Sequence, residues 1–118
     1  MWKSDIESWE PQSGKEPEVM SFGSGLAAHS RDLIQLIPLN SLQALQQVFQ
    51  RDGEQIAAVL IEPILGNCGS MQATQEYISQ LRKTCDQYGS LLIFDEVKTG
   101  FRVARGGVQE LYGIHADL

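Results

Sequence analysis

The segment Leu91-Leu92-Ile93-Phe94-Asp95-Glu96-Val97-Lys98-Thr99-Gly100-Phe101-Arg102 constrains this chain more than any other. Four apolar residues stop at two carboxylates, and a glycine turn follows. An apolar run bounded by turn signals reads as a strand buried within a parallel sheet, where both faces are covered and polar alternation is not needed. Open α/β sheets bind their ligands beyond the carboxyl ends of the strands. Asp95 therefore stands where an acid meets a ligand.

The residues upstream supply the remainder of such a sheet. Leu33–Ile37 is a short β-compatible run stopped by Pro38. Asn40, with Gln43 three residues on, offers a helix N-cap. Leu42, Leu45, Val48 and Phe49 follow at helical spacing, and Asp52-Gly53 ends that helix. Ile56–Ile61 reads as a second buried strand, ending at Glu62-Pro63. After the loop Ile64–Ser70, Thr74 can cap a helix with the stripe Ile78, Leu81, Cys85 and Tyr88, closed by Gly89. Right-handed crossovers make this alternation a parallel α/β sheet of three strands. Val108–Gly113 reads as a short helical turn and Ala116-Asp117-Leu118 as the approach to a further element. Three strands under two helices leave long exposed edges, so the chain is expected to be a piece of something larger. Residues 1–25 are polar and broken by Pro11, Gly14 and Pro17, which predicts an irregular arm ahead of a partial domain over 26–118.

Charge and cysteine usage remove several classes of function. The net charge is -6 and the nine basic residues are scattered, which argues against a nucleic-acid surface. No apolar stretch approaches the ~20 residues of a membrane span. Met1–Glu7 carries acids where a signal peptide has its apolar segment, so a cytoplasmic location is expected. Cys68, Cys85, His29 and His115 fit no metal-ligand spacing, and no metal is expected. Cys85 belongs to an apolar stripe and should lie in the core, whereas Cys68 falls in a glycine-rich loop.

Two strands end in acids, Glu62 and Asp95, which a parallel arrangement puts on one rim. A plain need for polarity at strand ends also accounts for them. A functional reading requires a positive or protonated ligand atom near Asp95. A magnesium nucleotide would require a phosphate loop G-x-x-x-x-G-K-[ST], but beside the only Gly-Lys pair, Gly14-Lys15, stand Trp9 in place of the first glycine and Glu16 in place of Ser or Thr. Gly23-Ser24-Gly25-Leu26-Ala27-Ala28 fits a loose dinucleotide fingerprint, without a convincing strand before it or an acid at the expected distance. A pyridine cofactor suits Asp95 better. An aspartate against the ring nitrogen keeps it protonated, and the protonated ring withdraws electrons from the substrate's α carbon. Its cationic partner keeps such an aspartate ionised. Val97, two residues along the pleat, would return to the same face and pack on the flat of the ring.

With these residues in view, Ala57–Gly69 and Leu91–Leu118 resemble the central segments of class III (fold type I) pyridoxal-phosphate aminotransferases. The second segment is nearer still to the glutamate-1-semialdehyde aminomutase branch. The resemblance covers roughly residues 30–118. It implies part of a three-layer α/β sandwich with a mostly parallel sheet, the large domain of that family. It also implies pyridoxal 5'-phosphate as cofactor, an amino acid or amino aldehyde as substrate, amino-group transfer or 1,2-exchange, and a homodimer in the intact enzyme. By the same resemblance Asp95 pairs with the pyridine nitrogen, Val97 packs on the ring face, and Glu62 is the acid of a Glu-Pro motif near the cofactor. Asn67 stands where many ω-aminotransferases carry a second glutamate. It either contacts the cofactor's phenolic oxygen or the substrate, or only stabilises the Gly66–Gly69 turn.

Lys98 departs from the Gln or Met usual in the family and is assigned to the rim or an interface. Arg102 and Arg105 are read as solvated charges, with anion binding at the family dimer as the other use. The Schiff-base lysine of the family is expected beyond Leu118 and its phosphate-binding Gly-Thr stretch upstream, so no catalytic residue is assigned here. The chain alone is expected to be inactive. The alternative is a noncatalytic truncated product or an interaction module that needs a complementary chain.

Overall fold

The computed structural model describes residues 27–118. The expected arm over 1–25, the Gly14-Lys15 pair and Gly23–Leu26 lie outside the described residues. The chain divides into two units, Met1–Pro38 and Leu39–Leu118. In the described part of the first, Ala28–Leu33 forms a 3-10 helix, and Ile34 follows in an extended conformation (φ -125°, ψ 126°). The strand expected over Leu33–Ile37 is not formed. The run is extended in part, but among the described residues no strand is formed over it, and an extended segment becomes a strand only through a ladder. Leu33 is accordingly exposed.

The second unit contains α1 (Leu42–Asp52), β1 (Ala58–Ile61), α2 (Gln75–Tyr88), β2 (Leu91–Phe94) and α3 (Gly107–Tyr112). The cap of α1 is Ser41 rather than Asn40: Ser41 Oγ accepts from Ala44 N at 3.2 Å. Asn40 sits at φ 64°, a left-handed conformation that asparagine tolerates better than most residues. Its amide makes a longer-range tie instead. Nδ2 donates to Gln72 O at 3.0 Å and Oδ1 accepts from Thr74 N at 2.8 Å. The start of α1 is thereby pinned to the approach to α2. Thr74 caps α2 as expected, accepting from Tyr77 N at 3.1 Å. Gly89, at φ 72°, closes it by donating to Cys85 O.

Leu45, Val48 and Phe49 of α1 and Tyr77, Ile78, Leu81 and Cys85 of α2 are buried, and the rings of Phe49 and Tyr88 stand 5.2 Å apart at 54°. Burial pushes the Cys85 thiol up to about 11, consistent with a core position. Cys68 is exposed. The sheet is parallel, with Ala58 opposite Leu91 and Ile61 opposite Phe94. In that register Val59, Ile61, Leu92 and Phe94 share one face, and Leu92 and Phe94 are buried. The other face carries Ala58, Leu60 and Leu91, with Leu60 68% exposed. The burial expected on both faces of these strands is therefore found on one. Among the described residues α2 packs on β2 and α1 on α2, a single helical layer.

A third backbone segment joins the free edge of β2. Leu92 O accepts from Asp117 N at 2.8 Å and from Leu118 N at 3.4 Å, and Phe94 N donates to Leu118 O at 3.0 Å. This alternation across Leu118 is the pattern of a parallel ladder. The Asp117 side chain secures the junction: Oδ2 accepts from Leu92 N at 2.7 Å and from Arg82 Nη1 at 2.8 Å. Arg82 also pairs with Asp86 one helical turn away, at 2.7 Å. No helix among the described residues is long and apolar enough to cross a membrane.

The Leu92 N–H, and after it the Arg82 guanidinium, hold the Asp117 carboxyl below its ordinary value. A carboxyl depressed by folding stabilises the fold above its unfolded value of about 4 and loses that contribution as pH falls through the lower folded value. Urea titrations below about pH 4 should therefore show a steeper loss of stability in the wild type than in Asp117→Asn. Parallel acid limbs in the two proteins would refute this role.

Candidate functional site

Because Ile61 and Phe94 are paired, Glu62 and Asp95 leave the sheet side by side at the carboxyl ends of β1 and β2. Asp95 N donates to Ile61 O at 2.8 Å, one further rung of the ladder. Each strand then passes into an ordered loop.

The loop after β1 is a narrow antiparallel excursion. Ala73 N donates to Pro63 O at 2.8 Å, Leu65 N donates to Met71 O at 2.9 Å, and Ile64 bridges Gln72. Its tip turns through Gly69 and Ser70, at φ 65° and 55°. Glu62 closes its near end, with Oε2 accepting from Gly66 N at 3.1 Å. Asn67 lies exposed beyond that closure. Its Oδ1 accepts from Lys98 Nζ, so the amide oxygen is directed across to the other loop.

The loop after β2 begins with an Asx turn: Asp95 Oδ1 accepts from Val97 N at 3.1 Å. This turn ends the pleat, so Val97 does not return to the face of the strand as the alternation predicted. Val97 lies in the turn and is 90% exposed. Asp95 Oδ2 has no partner among the described residues. Lys98 follows, and its stem passes over Gly66, where an added Cβ would lie 2.3 Å from Lys98 Cδ. Arg102 and Arg105 are exposed.

Glu96, the second of the two carboxylates after β2, has its oxygens filled by the protein itself. Oε2 accepts from Val108 N at 2.7 Å and from Thr99 Oγ1 at 3.0 Å, and Oε1 accepts from Gln109 N at 3.4 Å. Val108 and Gln109 are in the first turn of α3, whose N-cap residue, Gly106, has no side chain to offer. Glu96 therefore supplies from 12 positions upstream the acceptor that a capping Ser or Asp normally supplies, and its charge favours a helix N-terminus. Gly107 makes the approach possible. It lies at φ 67°, and a Cβ there would stand 2.1 Å from Glu96 Oε2. The available signal was a helix start without a capping residue, Gly106-Gly107, which asks for an acceptor from elsewhere.

Removing that acceptor leaves Val108 N and the Thr99 hydroxyl unpaired in part-buried positions. Glu96→Ala should cost about 1–3 kcal/mol in chemical denaturation. It should also abolish hydrogen-exchange protection at Val108 and Gln109. Retained protection there would show that α3 does not depend on Glu96.

A parallel sheet with polar loops gathered beyond its strand ends defines an α/β ligand-binding architecture. Solved structures of this shape include transaminases. An ω-transaminase from Sphaerobacter thermophilus superposes with a TM-score of 0.82 at 28% identity, over 91% of this chain and 24% of that one. A transaminase with PLP bound gives 0.77 at 31% identity, over 89% and 24%. The sequence model of the class-III aminotransferases matches residues 12–118, and the chain belongs to that family. Among curated relatives, the glutamate-1-semialdehyde 2,1-aminomutase of Sulfurihydrogenibium azorense is 49% identical over 94 residues, 80% of this chain and 22% of that protein. That of Persephonella marina is 43% identical over 111 residues, 85% and 26%. The chain thus spans about a quarter of the length of these aminomutases.

Proposed function

We propose that this chain is part of the cofactor-binding large domain of a pyridoxal-phosphate-dependent aminotransferase or aminomutase, with Asp95 as the partner of the cofactor's ring nitrogen. The observation that carries this reading is the Asp95 carboxylate at the sheet rim, with one oxygen fixed by Val97 N and the other without a partner among the described residues. An oriented carboxylate with a free oxygen suits a protonated ring nitrogen. When bound, pyridoxal phosphate supplies an electron sink for the substrate's α carbon. Asp95 then holds the proton at the ring nitrogen, and the exposed Val97 offers an apolar surface to the ring. Asn67 contributes a polar contact, and Glu62 braces the loop that carries it. Metal ions have no part in this reading.

The names of the curated relatives support an amino aldehyde of the glutamate-1-semialdehyde kind as substrate, with exchange of its amino group. A cytoplasmic homodimer with no nucleic-acid or membrane partner completes the reading. The exposed apolar face of the sheet, with Leu60 and Leu91, supports a place within a larger assembly. That same face favours a second reading, an interaction module completed by a complementary chain. On either reading the chain by itself binds cofactor weakly and does not turn over.

Titration of pyridoxamine 5'-phosphate into the chain, followed by NMR, tests the role of Asp95. The Asp95–Val97 backbone amides should shift in the wild type. Asp95→Ala should weaken binding by about 10-fold or more, the size of a hydrogen bond to a charged group. Equal affinity in the variant refutes the pairing. A visible cofactor absorbance that survives gel filtration, together with amino transfer, refutes the expected inactivity.

A further inference from the structure

The bond between Lys98 and Asn67 is not explained by the fold alone. It joins the loops after β1 and β2 across 31 positions of sequence, and both residues are exposed. An exposed lysine ordinarily gains more from hydration than from one amide oxygen. Here its stem is laid over Gly66, a position with no side chain to obstruct it. Gly66 is itself anchored by Glu62 Oε2. Stem and ammonium together grip the loop at two consecutive residues.

The chemistry of this contact fixes the orientation of the amide. An ammonium has donors and no acceptor, so only the Asn67 oxygen can face it. Flipping the amide would set donor against donor. Asn67 is thereby held with Oδ1 engaged and Nδ2 left as a two-proton donor without a partner among the described residues.

We propose that Lys98 is a positioning residue, which locks the Asn67 amide so that its Nδ2 group recognises a hydrogen-bond acceptor on the ligand bound at the rim. The ligand atom is an oxygen acceptor, such as a phenolate, carbonyl or carboxylate oxygen, and not a donor. The inference rests on the proposed cofactor site only for the ligand's location. The locking of the amide is independent of it.

The test uses the whole chain, pyridoxamine 5'-phosphate as the probe, and the side-chain amide resonances of Asn67. Lys98→Met should move those resonances toward the values of a free amide, and Lys98→Arg, which keeps a donor-only cation, should largely restore them. Gly66→Ala is the second variant: its Cβ displaces the Lys98 stem, so it should reproduce the Lys98→Met shift with Lys98 intact. In the wild type, saturation with the probe should shift the Nδ2 protons. Lys98→Met should weaken binding by about 3- to 10-fold, in keeping with one hydrogen bond, with recovery in Lys98→Arg.

An Asn67 amide indifferent to Lys98→Met, or undiminished affinity in that variant, overturns the proposal. If wild type fails to bind the probe, ligand recognition by Asn67 is overturned as well. If Lys98→Met weakens binding and moves the amide while Asp95→Ala leaves affinity unchanged, the ring-nitrogen reading fails and the positioning role stands. If only Asp95→Ala weakens binding, the positioning role fails alone.

Discussion

The rim depends on the register of two short parallel strands. Ile61 lies opposite Phe94, and the ladder runs on to Asp95 N and Ile61 O at 2.8 Å. A slip of one residue would turn Leu92 and Phe94 out of the core and send Asp95 to the wrong face. The register is held at its entry as well as its exit. Ser90 Oγ donates to Ile56 O at 2.6 Å, and Leu91 N donates to Ala57 O at 2.9 Å. On the far edge of β2, the Asp117 carboxylate takes the N–H of Leu92, which prevents that donor from competing for a shifted pairing.

From this register follow the different fates of two neighbouring acids. Both stand where β2 gives way to the turn, and their side chains meet different donors. The Glu96 carboxylate meets three donors, two of them the backbone N–H groups that start α3. Asp95 meets one, from its own turn. The acid with its lone pairs filled holds the structure. The acid with an open oxygen is available to a ligand. Glu96 also serves Asp95 indirectly, because it anchors the return of the chain from the turn that Asp95 begins.

What could be read in the sequence was what local pattern determines. Thr74 and Gly89 bound α2, Cys85 lies in its buried stripe, and β1 and β2 form where apolar runs meet turn residues. The rest is decided by side-chain and tertiary contacts that hydrophobic patterning does not report. Leu33–Ile37 has β-favouring residues, but its first residue ends a 3-10 helix and no strand forms over it among the described residues. Asn40 and Ser41 are both good caps, and the choice fell to Ser41 because Asn40 is engaged with Gln72 and Thr74 more than 30 positions away. Alternation aligns Val97 with the pleat, whereas the structure has a turn there, with Asp95 Oδ1 accepting from Val97 N. An apolar run reports that a strand can be buried, and is silent on which face is covered.

Lys98 shows how a cation beside two carboxylates can be satisfied without either of them. A lysine placed three residues after Asp95 and two after Glu96 has two carboxylates near it in sequence. An exposed ion pair with either would contribute little to stability, at most about 1 kcal/mol. It would nevertheless have a chemical consequence under the proposed function, because a cation resting on Asp95 must be displaced before a protonated ring nitrogen can take its place. Glu96 is removed from competition by the three donors it already accepts from. Asp95 directs one oxygen to Val97 N. The Lys98 ammonium instead reaches the neutral amide of Asn67. A neutral acceptor satisfies the lysine without consuming a negative charge, which under the proposed function keeps the Asp95 carboxylate for a cationic ligand atom and leaves an oriented donor on the facing loop.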